Sequence, residues 1–119
     1  MSKDQAQTYL RFLNLVSAIR GLPTLPALDA LEERVLNGLA ANWATGTRIT
    51  VLEAMSLPLD TSPTTVHRRL KALEKKGVIE FQEDKVDSRI KYVMPTYLAT
   101  TYFRKMGQCL DMAARNQSG

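Results

Sequence analysis

Cysteine and histidine are almost absent from this sequence: Cys109 and His67 are the single examples of each among 119 residues. So few ligands exclude a zinc site built from several Cys and His side chains, and no intramolecular disulfide can form. Long apolar runs are also missing, and none approaches the roughly 18 residues that a membrane-spanning helix needs. The N-terminal stretch MSKDQAQTYL lacks the apolar core of a secretion signal, so the chain reads as cytoplasmic, with no membrane partner. No glycine-rich phosphate loop occurs, and His67 has no identifiable nucleophile beside it in the pattern. These absences argue against an enzyme and imply neither cofactor nor metal.

Apolar residues make up 45% of a chain whose length suits one domain, so a single core over 1–119 is expected. The formal net charge of +4 is unevenly spread. Residues 21–61 are acidic on balance, whereas 1–20, 62–91 and 92–119 are basic. Between residues 62 and 77, Arg68, Arg69, Lys71, Lys75 and Lys76 face only Glu74 in the count. Such a local excess suits nucleic acid, although charge that merely keeps a helix face solvated would look the same.

Hydrophobic spacing divides the chain into elements. Tyr9, Phe12, Leu13, Val16 and Ile19 form one helical stripe, and Leu10 and Leu15 lie off it, so the first helix is apolar over more than one face. GLPTLP ends it. A second helix places Leu28, Leu31, Val35, Leu36 and Leu39 inward, with Asp29, Glu32 and Glu33 near its positive end. ATGTRIT is a loop or short extended piece, and Thr50 caps a short helix VLEAM whose Leu52 and Met55 point inward.

The next helix has the strongest boundaries. Ser62 followed by Pro63 starts it, and Gly77 after Lys75 and Lys76 stops it, which predicts a helix over about 63–76. Val66, Leu70 and Leu73 fall on its inner face. Thr64, Arg68, Lys71 and Lys75 cluster opposite, with Thr65 and His67 at the margins. Small hydroxyls in the first turn followed by long cations is the order that base reading and then phosphate contact require.

After Gly77 the period changes to two. Val78, Ile79 and Phe81 lead into the charged turn QEDKVDSR, and Ile90, Tyr92 and Met94 alternate on the way out. This hairpin is either a wing that reaches DNA or an edge blunted by charge, and the acids Glu83 and Asp84 keep the second option open. A final helix carries the stripe Ala99, Phe103, Met106, Leu110 and Ala113, widened by Tyr102 and Cys109, with Gly107 as a weak point.

The order of these elements, with SPTTVHRRLKALEKKGVI and DSRIKYVMPT, resembles the winged helix-turn-helix of the multiple-antibiotic-resistance regulator (MarR) family over about residues 28–105. LKALEKKGVI is similar to that family's junction of recognition helix and wing. Pro95 departs from the leucine usual there. The resemblance implies a mainly α (α+β) fold with a two-stranded β wing. It also implies a DNA-binding part at 28–95 and terminal helices at 1–22 and 96–119 that join two chains in a homodimer.

The expected function is therefore a sequence-specific regulator of transcription that binds double-stranded DNA. Candidate DNA contacts are Ser62, Thr64, Thr65, His67, Arg68, Lys71 and Lys75 on the helix, with Lys85, Arg89 and Lys91 on the hairpin. Candidate dimer contacts are Tyr9, Phe12, Leu13, Val16, Tyr102, Phe103, Met106 and Leu110. The alternative is a degenerate winged helix that serves as a protein adaptor. A small-molecule effector is left unnamed; Tyr9, Trp43 and Tyr102 either line its cleft or simply pack the core. Cys109 is either an oxidant sensor or a small core hydrophobe.

Overall fold

In a computed structural model, which describes residues 3–115, the chain forms two compact units. One comprises residues 28–97, and the other the described parts of 1–27 and 98–119. The outermost residues of the expected terminal segments, 1–2 and 116–119, lie outside the described residues.

The unit of residues 28–97 begins with helix α2 (Ala30–Ala44), which follows α1 (Lys3–Arg20) in the chain. Asp29 caps α2 through a reciprocal box: its carboxylate accepts the Glu32 amide at 2.7 Å, and the Glu32 carboxylate accepts the Asp29 amide at 2.7 Å. Two otherwise orphaned amides are thereby satisfied. Val35, Leu36 and Leu39 are fully buried, as the spacing predicts, while Leu28 and Leu31 are half-buried. Gly38 lets the chain pass closely, since a Cβ there would meet Leu57 Cδ1 at 3.2 Å.

A second capping box, between Thr50 and Glu53, starts α3 (Val51–Met55). Here the structure corrects the expected inward face. Leu52 is 76% exposed, whereas Ala54 is fully buried with Val51 and Met55 half-buried around it. Residues 51, 54 and 55 share a face at helical spacing, and Leu52 lies about 100° from Val51. The small Ala54 allows the close packing of α3 on α4 (Pro63–Lys75). Between them the turn passes through Asp60 at φ 56°, a left-handed conformation that aspartate tolerates better than most residues.

Helix α4 has the ends that its sequence predicts. Ser62 Oγ accepts the Thr65 amide at 3.1 Å, and Pro63 occupies the first turn. At the other end Gly77 adopts φ 79°, the Val78 amide reaches the Leu73 carbonyl and the Gly77 amide reaches that of Glu74. That is the Schellman arrangement, and it satisfies the last carbonyls. Val66, Leu70 and Leu73 are wholly buried.

The hairpin strands β2 (Ile79–Glu83) and β3 (Lys91–Pro95) pair antiparallel as expected. The sheet has a third strand, however, because β1 (Ile49–Thr50) pairs with the far edge of β3 in the order β1-β3-β2. The short extended piece of the sequence thus widens the expected two-stranded wing. The inward phase of β3 also differs from the alternation expected of Ile90, Tyr92 and Met94. Val93 is the fully buried residue, opposite both Ile49 and Phe81, whereas Tyr92 and Met94 are half-buried and Ile90 is exposed. Both phases of IKYVMP contain apolar side chains, so register with neighbouring strands decides between them. Trp43 Nε1 donates to the Val93 carbonyl at 3.0 Å, and the Thr96 hydroxyl reaches the carbonyls of Gly77 and Val78.

The other unit contains α1 and most of α5 (Tyr97–Arg115). Arg11 Nη2 donates to the Ala113 carbonyl at 3.3 Å, linking the two helices. In α5 the buried residues are Ala99, Tyr102, Cys109 and Ala113; Phe103 and Met106 are half-buried and Leu110 is exposed. The expected stripe shares Ala99 and Ala113 with the buried set, whereas Tyr102 and Cys109, expected only to widen it, are buried in place of Phe103 and Leu110. An apolar helix surface on both sides makes the two choices equivalent in sequence. No helix among the described residues is long and apolar enough to cross a membrane.

Gly107 is exposed inside α5, and a Cβ there would meet nothing within 4 Å. Gly107→Ala should therefore stabilise the fold by about 0.5–1 kcal/mol, measured by urea unfolding, because alanine loses less backbone entropy in a helix.

Candidate nucleic-acid interface

Along α4 the inner apolar stripe forces its remaining side chains outward. Thr64, His67, Arg68, Lys71 and Lys75 are exposed, as their spacing predicts. Ser62 and Thr65 are tied to each other: besides the cap, the Ser62 hydroxyl donates to Thr65 Oγ1 at 2.8 Å. Their oxygens hold the helix end in shape and place Thr64 beside them at its outer edge. Lys71 Nζ lies 3.4 Å from Glu74 and 5.3 Å above the Phe81 ring, so its ammonium leans toward the hairpin.

An open groove of about 560 Å³ runs between α3, α4 and the hairpin. It gathers Thr64, His67 and Lys71 from α4 with Arg89 and Lys91 from the hairpin, over an apolar floor that includes Leu52, Met55, Phe81 and Ile90. Five of the ten expected DNA contacts are therefore on one surface, and among the described residues no carboxylate lines it. Arg68, Lys75 and Lys85 are exposed but lie outside the groove.

Two cations of the basic cluster have a different role. Lys76 Nζ meets the buried Glu32 carboxylate at 2.6 Å, and Arg69 Nε lies 3.3 Å from Asp29. The first is a hydrogen-bonded ion pair; the second is a charge contact without hydrogen-bond alignment, since Arg69 Nε has no such partner. Sequence counting placed both in the same footprint as Arg68 and Lys71. The spacing Asp29-x-x-Glu32 was the available signal, because it marks a capping box that fixes two carboxylates at the start of α2.

The acids of the hairpin shape its turn. Asp84 accepts the amides of Val86 and Asp87, each at 3.0 Å, and lies 3.3 Å from the Tyr92 hydroxyl. Those amide bonds, Asp87 first, hold its carboxyl below the usual carboxylate pKa, helped by Tyr92 and the nearby Arg48 charge. Arg48 itself sits 3.6 Å over the Tyr92 ring. Arg89 grips Asp87 with a two-pronged contact, Nε and Nη2 each at 3.0 Å, and its amide adds a third bond at 3.0 Å. The fork lowers the pKa of Asp87 and raises that of Arg89. Arg89 is thus braced while its side chain stays exposed.

The other candidates separate. Cys109 and Tyr102 are buried, Tyr9 is exposed, and Trp43 is half-buried with its indole bonded to β3. Among the expected dimer contacts, Val16 and Tyr102 are covered within the single chain, Phe12, Phe103 and Met106 are half-buried, and Tyr9, Leu13 and Leu110 are exposed.

Residues 59–80, covering the turn, α4 and the start of β2, match the winged helix-turn-helix DNA-binding family. No curated protein matches the chain. Among solved structures it is similar to the YusO protein of Bacillus subtilis, with 18% identity and a TM-score of 0.60 over 95% of this chain and 72% of that one. It is similar also to Sco3205 of Streptomyces coelicolor, a MarR family transcriptional regulator solved in complex with DNA. There the identity is 14% and the TM-score 0.57, over 98% of this chain and 77% of that one. A third is BpsR of Bordetella bronchiseptica, whose DNA binding is regulated by 6-hydroxynicotinic acid, with 16% identity, a TM-score of 0.56, and coverage of 97% and 81%. At these identities the likeness is one of fold, and the fold is the winged helix-turn-helix found in MarR-type regulators.

Acid should loosen the hairpin turn in a defined window. The folded turn binds the charged forms of Asp84 and Asp87, whose pKa values lie below 3.8, so their contribution is complete above that value. It is lost as pH falls through the lowered values. Amide chemical shifts of Val86, Asp87 and Arg89 should stay constant from about pH 8 to about pH 5 and move only in stronger acid.

Proposed function

We propose that this protein is a cytoplasmic, sequence-specific regulator of transcription that binds double-stranded DNA as a homodimer. The observation that carries this reading is the single surface on which Thr64, His67 and Lys71 of α4 meet Arg89 and Lys91 of the hairpin. Helix α4 enters the major groove, where the first-turn Thr64 approaches base edges and the cations behind it reach phosphates. Arg68 is the residue assigned to a guanine edge, because its planar fork matches the two acceptors there. The hairpin lies at the minor groove or the backbone, with Arg89 held ready by Asp87 and with Lys85 and Lys91 beside it. The fold shared with a regulator solved on DNA supports the same reading.

The apolar surface left on the terminal helices supports dimerisation. Tyr9, Leu10, Leu13, Leu110 and Met112 are all exposed. Water contact with that area is unfavourable by about 25 cal/mol per Å², and an isologous interface removes it on both chains at once. Two copies of α4 set about one DNA turn apart, or a multiple of it, select an inverted repeat.

Selection from random duplexes tests the reading, because an adaptor would enrich no site and show no salt-dependent binding. On the enriched site Arg68→Ala should lose about 1–3 kcal/mol and relax preference at one base pair, whereas Lys75→Ala should weaken every sequence alike. Equal affinity of Arg68→Ala and the wild type would remove the base-reading role of Arg68. In light scattering the wild type should show twice the 13.3 kDa chain mass. The pair Leu13→Asp and Leu110→Asp should give a monomer that no longer prefers the inverted repeat.

A further inference from the structure

Helix α2 grips α4 and the turn before it at three points. Arg34 Nη2 donates to the Leu59 carbonyl at 2.5 Å, just ahead of α4. Asp29 faces Arg69 in the middle of α4, and Glu32 holds Lys76 at its C-cap. The two acids also form the N-terminal box of α2. Asp29 divides its oxygens, with Oδ1 on the Glu32 amide and Oδ2 toward Arg69, while Glu32 Oε1 serves the Asp29 amide and Lys76 together. One pair of carboxylates thus both starts α2 and positions α4.

This arrangement has a consequence for DNA recognition. Phosphate contacts tighten binding to any sequence, whereas base contacts create preference. If all five cations of residues 62–77 were available to phosphates, the helix would bind unselected DNA more strongly and could tilt to do so. Pairing with α2 draws two of them away from that competition, Lys76 through a hydrogen-bonded pair and Arg69 through a looser charge contact, and helps to fix the helix that carries Arg68. The Glu32–Lys76 pair is the firmer point, because the Glu32 side chain is only 4% exposed and a buried carboxylate deprived of its cation is strongly unfavourable.

We propose that Asp29 and Glu32 are positioning residues that confer sequence specificity, by holding α4 in its reading orientation and withholding Arg69 and Lys76 from the DNA backbone. The inference rests on the DNA-binding reading above.

The test uses the full chain with Asp29→Asn and Glu32→Gln together. Asparagine caps a helix as well as aspartate, and glutamine serves in a capping box, so α2 keeps its start while both ion pairs are lost. With both carboxylate charges gone, the slope of log affinity against log salt should steepen by up to about 2. Binding to an unselected duplex should tighten, and the ratio of selected-site to unselected-site affinity should fall about tenfold. Without DNA, amide exchange over residues 69–77 should accelerate about tenfold while α2 keeps its protection. Adding Arg69→Gln and Lys76→Gln should restore the wild-type salt slope.

A merely structural role would weaken both duplexes together and leave the slope unmoved, and that result would overturn the proposal. So would unchanged amide exchange in α4. If the double variant does not fold, Asp29→Asn alone, at the more exposed contact, should move slope and ratio in the same directions by about half as much. A wild-type protein that binds no duplex at all would instead remove the functional reading, and the exchange measurement would still decide whether the two acids position α4.

Discussion

Burial of Val66, Leu70 and Leu73 is the interaction on which the rest of the structure depends. Helix α4 carries a strongly cationic outer face, and only its narrow apolar stripe favours its lying against the rest of the unit. Three fully buried aliphatic side chains, each contributing about 1.5–3 kcal/mol, anchor it to α2 and α3 and so decide which residues point away. Once that stripe is inside, Thr64, Arg68, Lys71 and Lys75 have no direction but outward. The ends are defined just as firmly, by Ser62 at one side and the Gly77 reversal at the other. The chain leaves α4 in a fixed direction, and β2 begins two residues later.

The hairpin adds its own stiffness to that starting point. Its acids read in isolation as a drawback for a surface meant to meet phosphates. In the folded turn Asp84 is occupied by two backbone amides and the Tyr92 hydroxyl, and Asp87 by Arg89. Carboxylates engaged in this way set the geometry of the cations beside them. The remaining exposed acid of the pair, Glu83, sits at the end of β2 opposite Lys91. A turn held by several hydrogen bonds loses little conformational entropy when it meets a partner.

Electrostatics within residues 28–97 follow the same division between inner and outer work. The acidic stretch of the sequence meets the basic one through Asp29 and Glu32, so the opposite charges of the two segments are partly matched inside one unit. Among the cations left on the outside, Lys71, Arg89 and Lys91 line the groove, whereas Arg68, Lys75 and Lys85 are exposed elsewhere. In the terminal helices the comparable question concerns apolar surface, where the buried seam of α5 leaves Leu110 and Met112 in water.

By itself the sequence determined the elements whose signals are local. Ser62-Pro63 and Gly77 bound α4 to within a residue, the stripe 66-70-73 identified its inner face, and Gly77 marked the change to strand, because capping and helical periodicity involve only neighbours along the chain. The outward placement of Thr64, His67 and Lys71 on α4 was legible for the same reason, whereas Arg89 and Lys91 were expected only as cations of a wing-like hairpin. Tertiary structure alone decided the matters in which two local answers were equally good. The inward phase of β3 needed Ile49 and Phe81 opposite Val93, the seam of α5 had two equivalent apolar faces, and α3 turned Ala54 inward and Leu52 to solvent. It also sorted five similar cations, sending Arg69 and Lys76 to carboxylates 40 and 44 residues away while leaving Arg68, Lys71 and Lys75 outward. Charge pairing depends on distance in space, and that distance exists only once α2 and α4 have packed.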